Sequence, residues 1–201
     1  MDNNNEIVAL RSNSTETDDF KSELFDWISV IITSLIVIVF LFSFVFKIVT
    51  IYGKSMEDTF HGDERVIISN VCYTPKRLDV VVISRDLNNS GSVSEKNRPI
   101  IKRIIATAGQ TVDIDFESGI VYVDGVALDE PYTKTPTNLN YDIKFPVYVP
   151  DGCVFVLGDN RNDSLDSRSS TIGEYGMIDE RYILGKVVFR ILPFNKFGGI
   201  K

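Results

Sequence analysis

Histidine and cysteine are scarce in this sequence of 201 residues, and their scarcity excludes common kinds of site. The only histidine is His61, so a mechanism that needs an imidazole has a single candidate. The two cysteines, Cys72 and Cys153, form no CxxC motif and no cluster with histidine, so we expect no metal site and no cofactor. Whether they form a disulfide in an extracellular domain or are two small buried hydrophobes stays open.

An excess of basic charge is also missing. The chain has 21 lysines and arginines against 28 acidic residues, which gives a formal net charge of -7. Because proteins that bind nucleic acid are normally basic, we expect no nucleic-acid partner. The length is sufficient for one domain of ordinary size and an appendage.

Charge is absent from one long segment, the 20 residues from Trp27 to Phe46. As a helix it spans the roughly 30 Å hydrocarbon core of a bilayer. It is too long for the apolar region of a cleaved secretory signal, and a buried core helix is rarely apolar on every face. We therefore predict a retained transmembrane helix over residues 22–49, with the lipid bilayer as a partner. Residues 1–21 are polar and predict a disordered tail, and the flanking lysines do not orient the helix.

Residues 50–201 have the pattern of an all-β domain. Short runs rich in Val, Ile, Phe and Tyr alternate with Gly, Asn, Asp and Pro, and no βαβ alternation occurs. Residues 116–119 and the Asp124-Gly125 pair are predicted hairpin turns. Residues 86–98 are predicted to form a polar surface loop.

Three segments carry residues suited to nucleophilic catalysis. Ser55 follows the apolar helix closely, and a serine nucleophile needs a base to take its proton. Lys102 lies in an apolar strand, where desolvation lowers the pKa of a lysine and makes a neutral amine available as a base. The third segment, residues 158–168, is densely polar directly after an apolar run. Taken singly, the three also fit a turn, a solvent-facing strand position and a solvated loop.

Together these segments resemble the bacterial-type signal peptidase I family, peptidase family S26. GKSMEDTF at 53–60 is similar to its nucleophile box, and IKRIIATAGQTVDI at 101–114 resembles the box that contains the base. GDNRNDSLDSR at 158–168 agrees with the family's Gly-Asp-Asn-Arg-x-x-Ser-x-Asp-Ser-Arg box at every fixed position. KRLDVVVI at 76–83 resembles a further strand of the family.

The resemblance implies a fold, a location and a reaction. We expect antiparallel sheets that form a signal-peptidase-like catalytic β-domain after one N-terminal transmembrane helix. The enzyme would be a serine endopeptidase that removes signal peptides from exported preproteins. It would be single-pass in the cell membrane, with residues 1–21 cytoplasmic and the catalytic domain on the outer face.

The resemblance also implies residue roles. Ser55 would be the nucleophile, with its backbone N–H in the oxyanion hole, and Lys102 would be the general base. Ser164 would hold the lysine amine in place. The remaining supporting residues would be Asp159, Asp166, Arg168, Met56 and Arg103, with Asp166 and Arg168 as an ion pair.

Several departures from the family pattern concern geometry. Asp58 stands where the family usually has Pro, and Leu78 where it often has Gly. The usual Gly-x-Pro-Gly after the base is replaced by Ala-Thr-Ala-Gly at 106–109, and Gly53 stands where some members have a serine that assists the oxyanion hole. A second oxyanion donor is therefore unidentified. Strands near Ile51–Gly53 and Ile100–Ile104 are the candidate walls of two shallow pockets for small substrate side chains.

Four other readings remain. A repressor autoprotease of the SOS type shares a Ser/Lys dyad, but a transmembrane helix and the lack of a DNA-binding domain argue against it. The eukaryotic-type signal peptidase uses His as its base, and a sortase uses Cys in a sequence context that Cys153 lacks. A membrane-tethered β-domain that only binds peptide or cell wall is the non-enzymatic alternative.

Overall fold

The computed structural model describes residues 3–57, 59–84 and 98–200, so most of the predicted loop at 86–98 lies outside the described residues. The chain divides into two units, residues 1–45 and 46–201. The first contains helix α1, Asn3–Phe44. Its part Lys21–Phe44 is long and apolar enough to cross a membrane, and every residue in it is exposed. Exposed apolar side chains along such a length fit a lipid environment.

Both ends of α1 differ from the predicted boundaries. The helix begins at Asn3, so the prediction of a disordered tail is wrong. Extending an existing helix by one residue costs little compared with nucleating one, which explains how a polar segment continues an apolar helix. The helix ends at Phe44 and strand β1 begins at Phe46, so the chain leaves the helix before the predicted residue 49.

The second unit is built on a large antiparallel sheet. Its strand order is β1-β2-β11-β3-β4-β9-β10, with β12 beside β11. The strands are β1 Phe46–Thr50, β2 Arg65–Ser69, β3 Val80–Ile83, β4 Ile100–Thr107, β9 Cys153–Leu157, β10 Ile178–Asp179, β11 Ile183–Leu192 and β12 Gly198–Gly199. Short 3₁₀ helices occupy Glu180–Tyr182 and Phe194–Lys196.

A smaller antiparallel sheet has the order β7-β6-β5-β8. Its strands are β5 Thr111–Asp115, β6 Ile120–Val123, β7 Val126–Ala127 and β8 Val147–Tyr148. Both predicted hairpin turns are confirmed, since residues 116–119 join β5 to β6 and Asp124-Gly125 joins β6 to β7. Asp124 and Gly125 have φ of 53° and 78°, the positive values that a two-residue hairpin turn requires.

Strand β4, which contains Lys102, lies in the interior of the large sheet. It lies between β3 and β9, and its residues from Ile101 to Ala106 are all buried. One apolar cluster joins Ile101 to Ile51 and Met56, whereas another joins Ile104 to strands β3 and β9.

The two antiparallel sheets and the apolar helix α1 confirm the predicted fold class, an all-β domain after one N-terminal apolar helix.

Candidate active site

Ser55 lies in a tight turn after β1. The N–H of Glu57 donates to the carbonyl of Lys54 at 2.9 Å and closes this turn. Asn160 holds the turn from the opposite side: its backbone N–H donates to the Ser55 carbonyl at 3.0 Å, and its Nδ2 donates to the Lys54 carbonyl at 3.1 Å. The third motif segment thus fixes the backbone of the serine.

Lys102 reaches this serine from the middle of β4. Its Nζ donates to Ser55 Oγ at 2.6 Å and to the carbonyl of Ile101 at 3.0 Å. The side chain of Lys102 is only 2% exposed, so the alternative of a solvent-facing strand position is wrong. Burial disfavours the charged form of an amine, which favours a lysine that can accept a proton.

Ser164, Asp166 and Arg168 form one buried hydrogen-bonded group. The Ser164 hydroxyl donates to Asp166 Oδ2 at 2.7 Å, and Arg168 donates to both carboxylate oxygens, from Nε at 2.8 Å and from Nη2 at 2.9 Å. The predicted ion pair between Asp166 and Arg168 is confirmed. Because the hydroxyl hydrogen of Ser164 is committed to Asp166, its oxygen can act toward other groups only as an acceptor.

A second buried ion pair lies beside Lys102. Arg103 donates two hydrogen bonds to Asp159, from Nε to Oδ1 at 2.8 Å and from Nη2 to Oδ2 at 2.7 Å. Arg103 Nη1 donates to the carbonyl of Leu78 at 3.0 Å, and the hydroxyl of Thr59 donates to Asp159 Oδ2. This pair joins the strand of the lysine to the third motif segment and to the end of the serine turn.

Gly158 brings the segments together because it has no side chain. A Cβ at this position would lie 2.2 Å from Ser164 Oγ and 2.4 Å from the carbonyl oxygen of Ser55. Its own N–H donates to Asp166 Oδ2 at 3.0 Å. This close approach at Gly158 places the Ser164 hydroxyl next to the backbone of Ser55.

Met56 supports the turn by packing. It is 2% exposed, lies in the cluster that contains Ile51 and Phe60, and its carbonyl accepts the N–H of Phe60 at 2.7 Å. Of the residues considered for other mechanisms, His61 is exposed, and Cys72 and Cys153 are free thiols.

The structure also brings in residues that the sequence reasoning missed. Arg161 belongs to the third motif but received no predicted role, and it is 1% exposed. Glu130, Tyr132 and Thr137 come from an irregular segment between β7 and β8 that carries no recognisable motif. The one available signal was the arginine itself, since a buried guanidinium needs a carboxylate partner.

The second unit thus carries, on two antiparallel sheets, a serine hydroxyl 2.6 Å from a buried lysine amine. This defines the class of β-proteins with a serine–lysine pair suited to nucleophilic catalysis. Comparison with known proteins agrees: the family described as signal peptidase, peptidase S26, matches residues 24–192. The chain belongs to this family and is a membrane-bound serine peptidase.

Two curated relatives support the assignment. Signal peptidase I of Bacillus licheniformis is 33% identical over 187 residues, which cover 88% of this chain and 92% of that protein. Signal peptidase IB of Staphylococcus aureus is 33% identical over 201 residues, with coverage of 88% and 94%. A crystal structure of a signal peptidase I from Enterococcus faecalis has a TM-score of 0.43 and 28% identity, and the match covers 58% of this chain and 98% of the other.

Proposed function

We propose that this protein removes signal peptides from exported preproteins by a Ser55/Lys102 dyad. The contact of 2.6 Å between Lys102 Nζ and Ser55 Oγ carries the proposal. In the neutral form of the amine the Ser55 hydroxyl donates to Nζ across this contact, and the amine takes the hydroxyl proton while Oγ attacks the scissile carbonyl. The resulting ammonium then gives that proton to the leaving amine, and an acyl-enzyme forms on Ser55. Water, deprotonated by the same amine, hydrolyses the ester and restores the hydroxyl.

The supporting residues have distinct tasks in this proposal. Ser164 offers its oxygen to the Lys102 amine, because its hydrogen is bound to Asp166. Arg168 holds both carboxylate oxygens of Asp166, whereas Arg103 and Asp159 hold the strand next to Lys102. The backbone N–H of Ser55 is one oxyanion donor, as the family resemblance implies, and Gly53 has no hydroxyl to add a second.

The substrate class follows from the chemistry of signal peptides, which carry small residues at the first and third positions before the cleavage site. In an extended strand these two side chains share one face, so we propose that the substrate binds as an added β-strand over two shallow pockets. Ile101, which is 7% exposed, is a candidate wall. Ile104 is fully buried among β3 and β9, so we do not expect it to line a pocket.

The proposed location is the cell membrane, with a single pass, a cytoplasmic N-terminus and the catalytic domain outside. Exported preproteins present their cleavage sites on the outer surface, which supports this orientation. The exposed thiol of Cys72 is a natural reporter. An impermeant maleimide should label it in intact cells, and Cys72→Ser should remove the label apart from what the half-buried Cys153 takes up. Labelling of a cysteine placed within residues 1–20, but not of Cys72, would reverse the orientation.

Cleavage of a preprotein in detergent by the purified full chain tests the dyad. Ser55→Ala and Lys102→Ala should each abolish activity, and the double variant should be no worse, since residues that act as one unit are not additive. His61→Ala is the matched control and should remain active. Substantial activity from Ser55→Ala would support the non-enzymatic β-domain, with a different protein as the source of cleavage.

A further inference from the structure

Residues 129–137 lie between β7 and β8, and we call this stretch the clamp segment. Several of its polar side chains contact two arginines of the site. Glu130 binds Arg161 with two bonds, to Nη1 at 2.7 Å and to Nη2 at 2.5 Å. The hydroxyl of Thr137 accepts a further bond from Arg161 Nη1 at 2.6 Å. The buried guanidinium of Arg161 is therefore held from the clamp segment.

Tyr132 connects the same segment to the second arginine. The guanidinium carbon of Arg103 lies 4.0 Å from the centre of the Tyr132 ring, a cation–π distance. The Tyr132 hydroxyl donates to Glu130 Oε1 at 2.8 Å, so the two arginine contacts are joined. Burial and the neighbouring Glu130 carboxylate raise the pKa of Tyr132, which keeps this hydroxyl a donor.

Both arginines belong to segments that carry the proposed chemistry. Arg161 Nε donates to the carbonyl of Gly158 at 3.1 Å, and the adjacent Asn160 N–H holds the carbonyl of Ser55 at 3.0 Å. Arg103 follows Lys102 directly in β4. A shift of either guanidinium would therefore reach the serine or the lysine through one or two backbone contacts.

The smaller sheet fixes the position of the clamp segment. The N–H of Thr137 donates to the carbonyl of Gly119 at 2.9 Å, in the turn between β5 and β6. Gly119 has φ of 74°, and a Cβ there would lie 2.3 Å from the Cβ of Pro136. The turn and the clamp segment thus pack too closely for any residue but glycine at this position.

We propose that Glu130 and Tyr132 are positioning residues for the peptidase reaction, Glu130 acting through Arg161 and Tyr132 through Arg103. This inference rests on the proposed Ser55/Lys102 function. In this proposal both residues act through the arginines and not directly on the reacting atoms. They hold the two segments in register, so that Ser55 Oγ and Lys102 Nζ keep their hydrogen bond while a substrate carbonyl approaches.

The test compares kcat and KM of the full chain in the preprotein assay, with the folded concentration taken from near-ultraviolet circular dichroism and thermal unfolding. Glu130→Gln keeps the size of the side chain and removes its charge. Its kcat per folded molecule should fall on the order of 10²-fold with KM within about twofold, because a small misplacement of reacting groups has that effect. Glu130→Asp should recover about tenfold of the loss, since the carboxylate returns.

Tyr132→Phe keeps the ring over Arg103 and removes the donor to Glu130, so its kcat should fall about fivefold. This variant decides the matter if Glu130→Gln does not fold. The matched controls are Glu117→Gln and Tyr148→Phe, at exposed positions outside the clamp segment, and both should keep wild-type kcat.

Wild-type kcat per folded molecule in Glu130→Gln, or in Tyr132→Phe where the first variant does not fold, would overturn the inference and leave the clamp segment a purely stabilising element. Ser55→Ala, measured in parallel, separates the two hypotheses. If it is inactive while the clamp variants are normal, only the positioning role fails. If it is active, the proposed function fails.

Discussion

Gly158→Ala should damage the site through a single added methyl group. The new Cβ would lie 2.4 Å from the Ser55 carbonyl oxygen, about 0.6 Å inside the 3.0 Å limit that real Cβ contacts observe. Rotation of the Ser164 side chain would move its Oγ, which is 2.2 Å away, but not its Cβ, which would still be 2.5 Å away. The backbone of Ser55 or of residue 158 must therefore move.

The size of the effect follows from that movement. A shift of about 0.6 Å at the Ser55 backbone is large beside a hydrogen bond of 2.6 Å between Lys102 Nζ and Ser55 Oγ. Misplacement of a reacting group by about 1 Å can cost 10²-fold in rate, so we expect kcat to fall by about 10- to 100-fold. Overpacking of this kind also lowers the free energy of unfolding by about 1–3 kcal/mol.

The assay measures kcat in preprotein cleavage and the melting temperature of the same sample. Gly199→Ala is the matched control, because its φ is not in the positive range and a Cβ there would meet none of the described residues within 4 Å. It should behave as wild type in both measurements. If Gly158→Ala also keeps wild-type kcat and melting temperature, the close approach of Gly158 to Ser55 does not constrain the site, and the reasoning is refuted.

Three further changes test other parts of the structure. Leu78 has φ of 73° and a side chain that is 42% exposed, so Leu78→Gly should raise the free energy of unfolding by about 0.5–1 kcal/mol in thermal denaturation. Asp159→Asn leaves the buried guanidinium of Arg103 without its carboxylate and should lower that free energy by about 3–5 kcal/mol, measured by urea titration. The hydroxyl and N–H of Ser170 lower the pKa of Asp142 below its ordinary 3.8. The resulting stability is present above that value and is lost as pH falls through the lowered pKa, so Asp142→Asn should reduce the melting temperature at neutral pH, and the difference from wild type should shrink as the pH is lowered through that pKa.

The strands of the second unit could largely be predicted because their sequence pattern is local. Apolar runs bounded by turn residues mark β1 to β9 and β11. Strands β10, Ile178–Asp179, and β12, Gly198–Gly199, were missed, since two residues are too few to show a period of two. The Asp124-Gly125 turn was predictable for the same local reason.

The environment of Lys102 could not be read from its strand alone. Alternation in a sheet with one solvated face would put either Lys102 or Arg103 in solvent. Both are 2% exposed, because β4 lies inside the sheet between β3 and β9 and other segments cover both of its faces. Burial on both sides depends on strand order, which is a property of the whole domain.

The arginine contacts could not be predicted either, because their partners lie far away in the sequence. Arg103 meets Asp159 56 residues away, and Arg161 meets Glu130 across 31 residues of mostly irregular chain. Replacement of a buried ion pair by apolar residues is often neutral or stabilising, so stability alone does not account for such pairs. In our proposal each pair fixes the position of one piece of backbone. Arg103 fixes the strand beside Lys102, and Arg161 fixes the carbonyl of Gly158. A guanidinium suits this task because its planar fork fixes the direction of several bonds at once, which apolar packing does not.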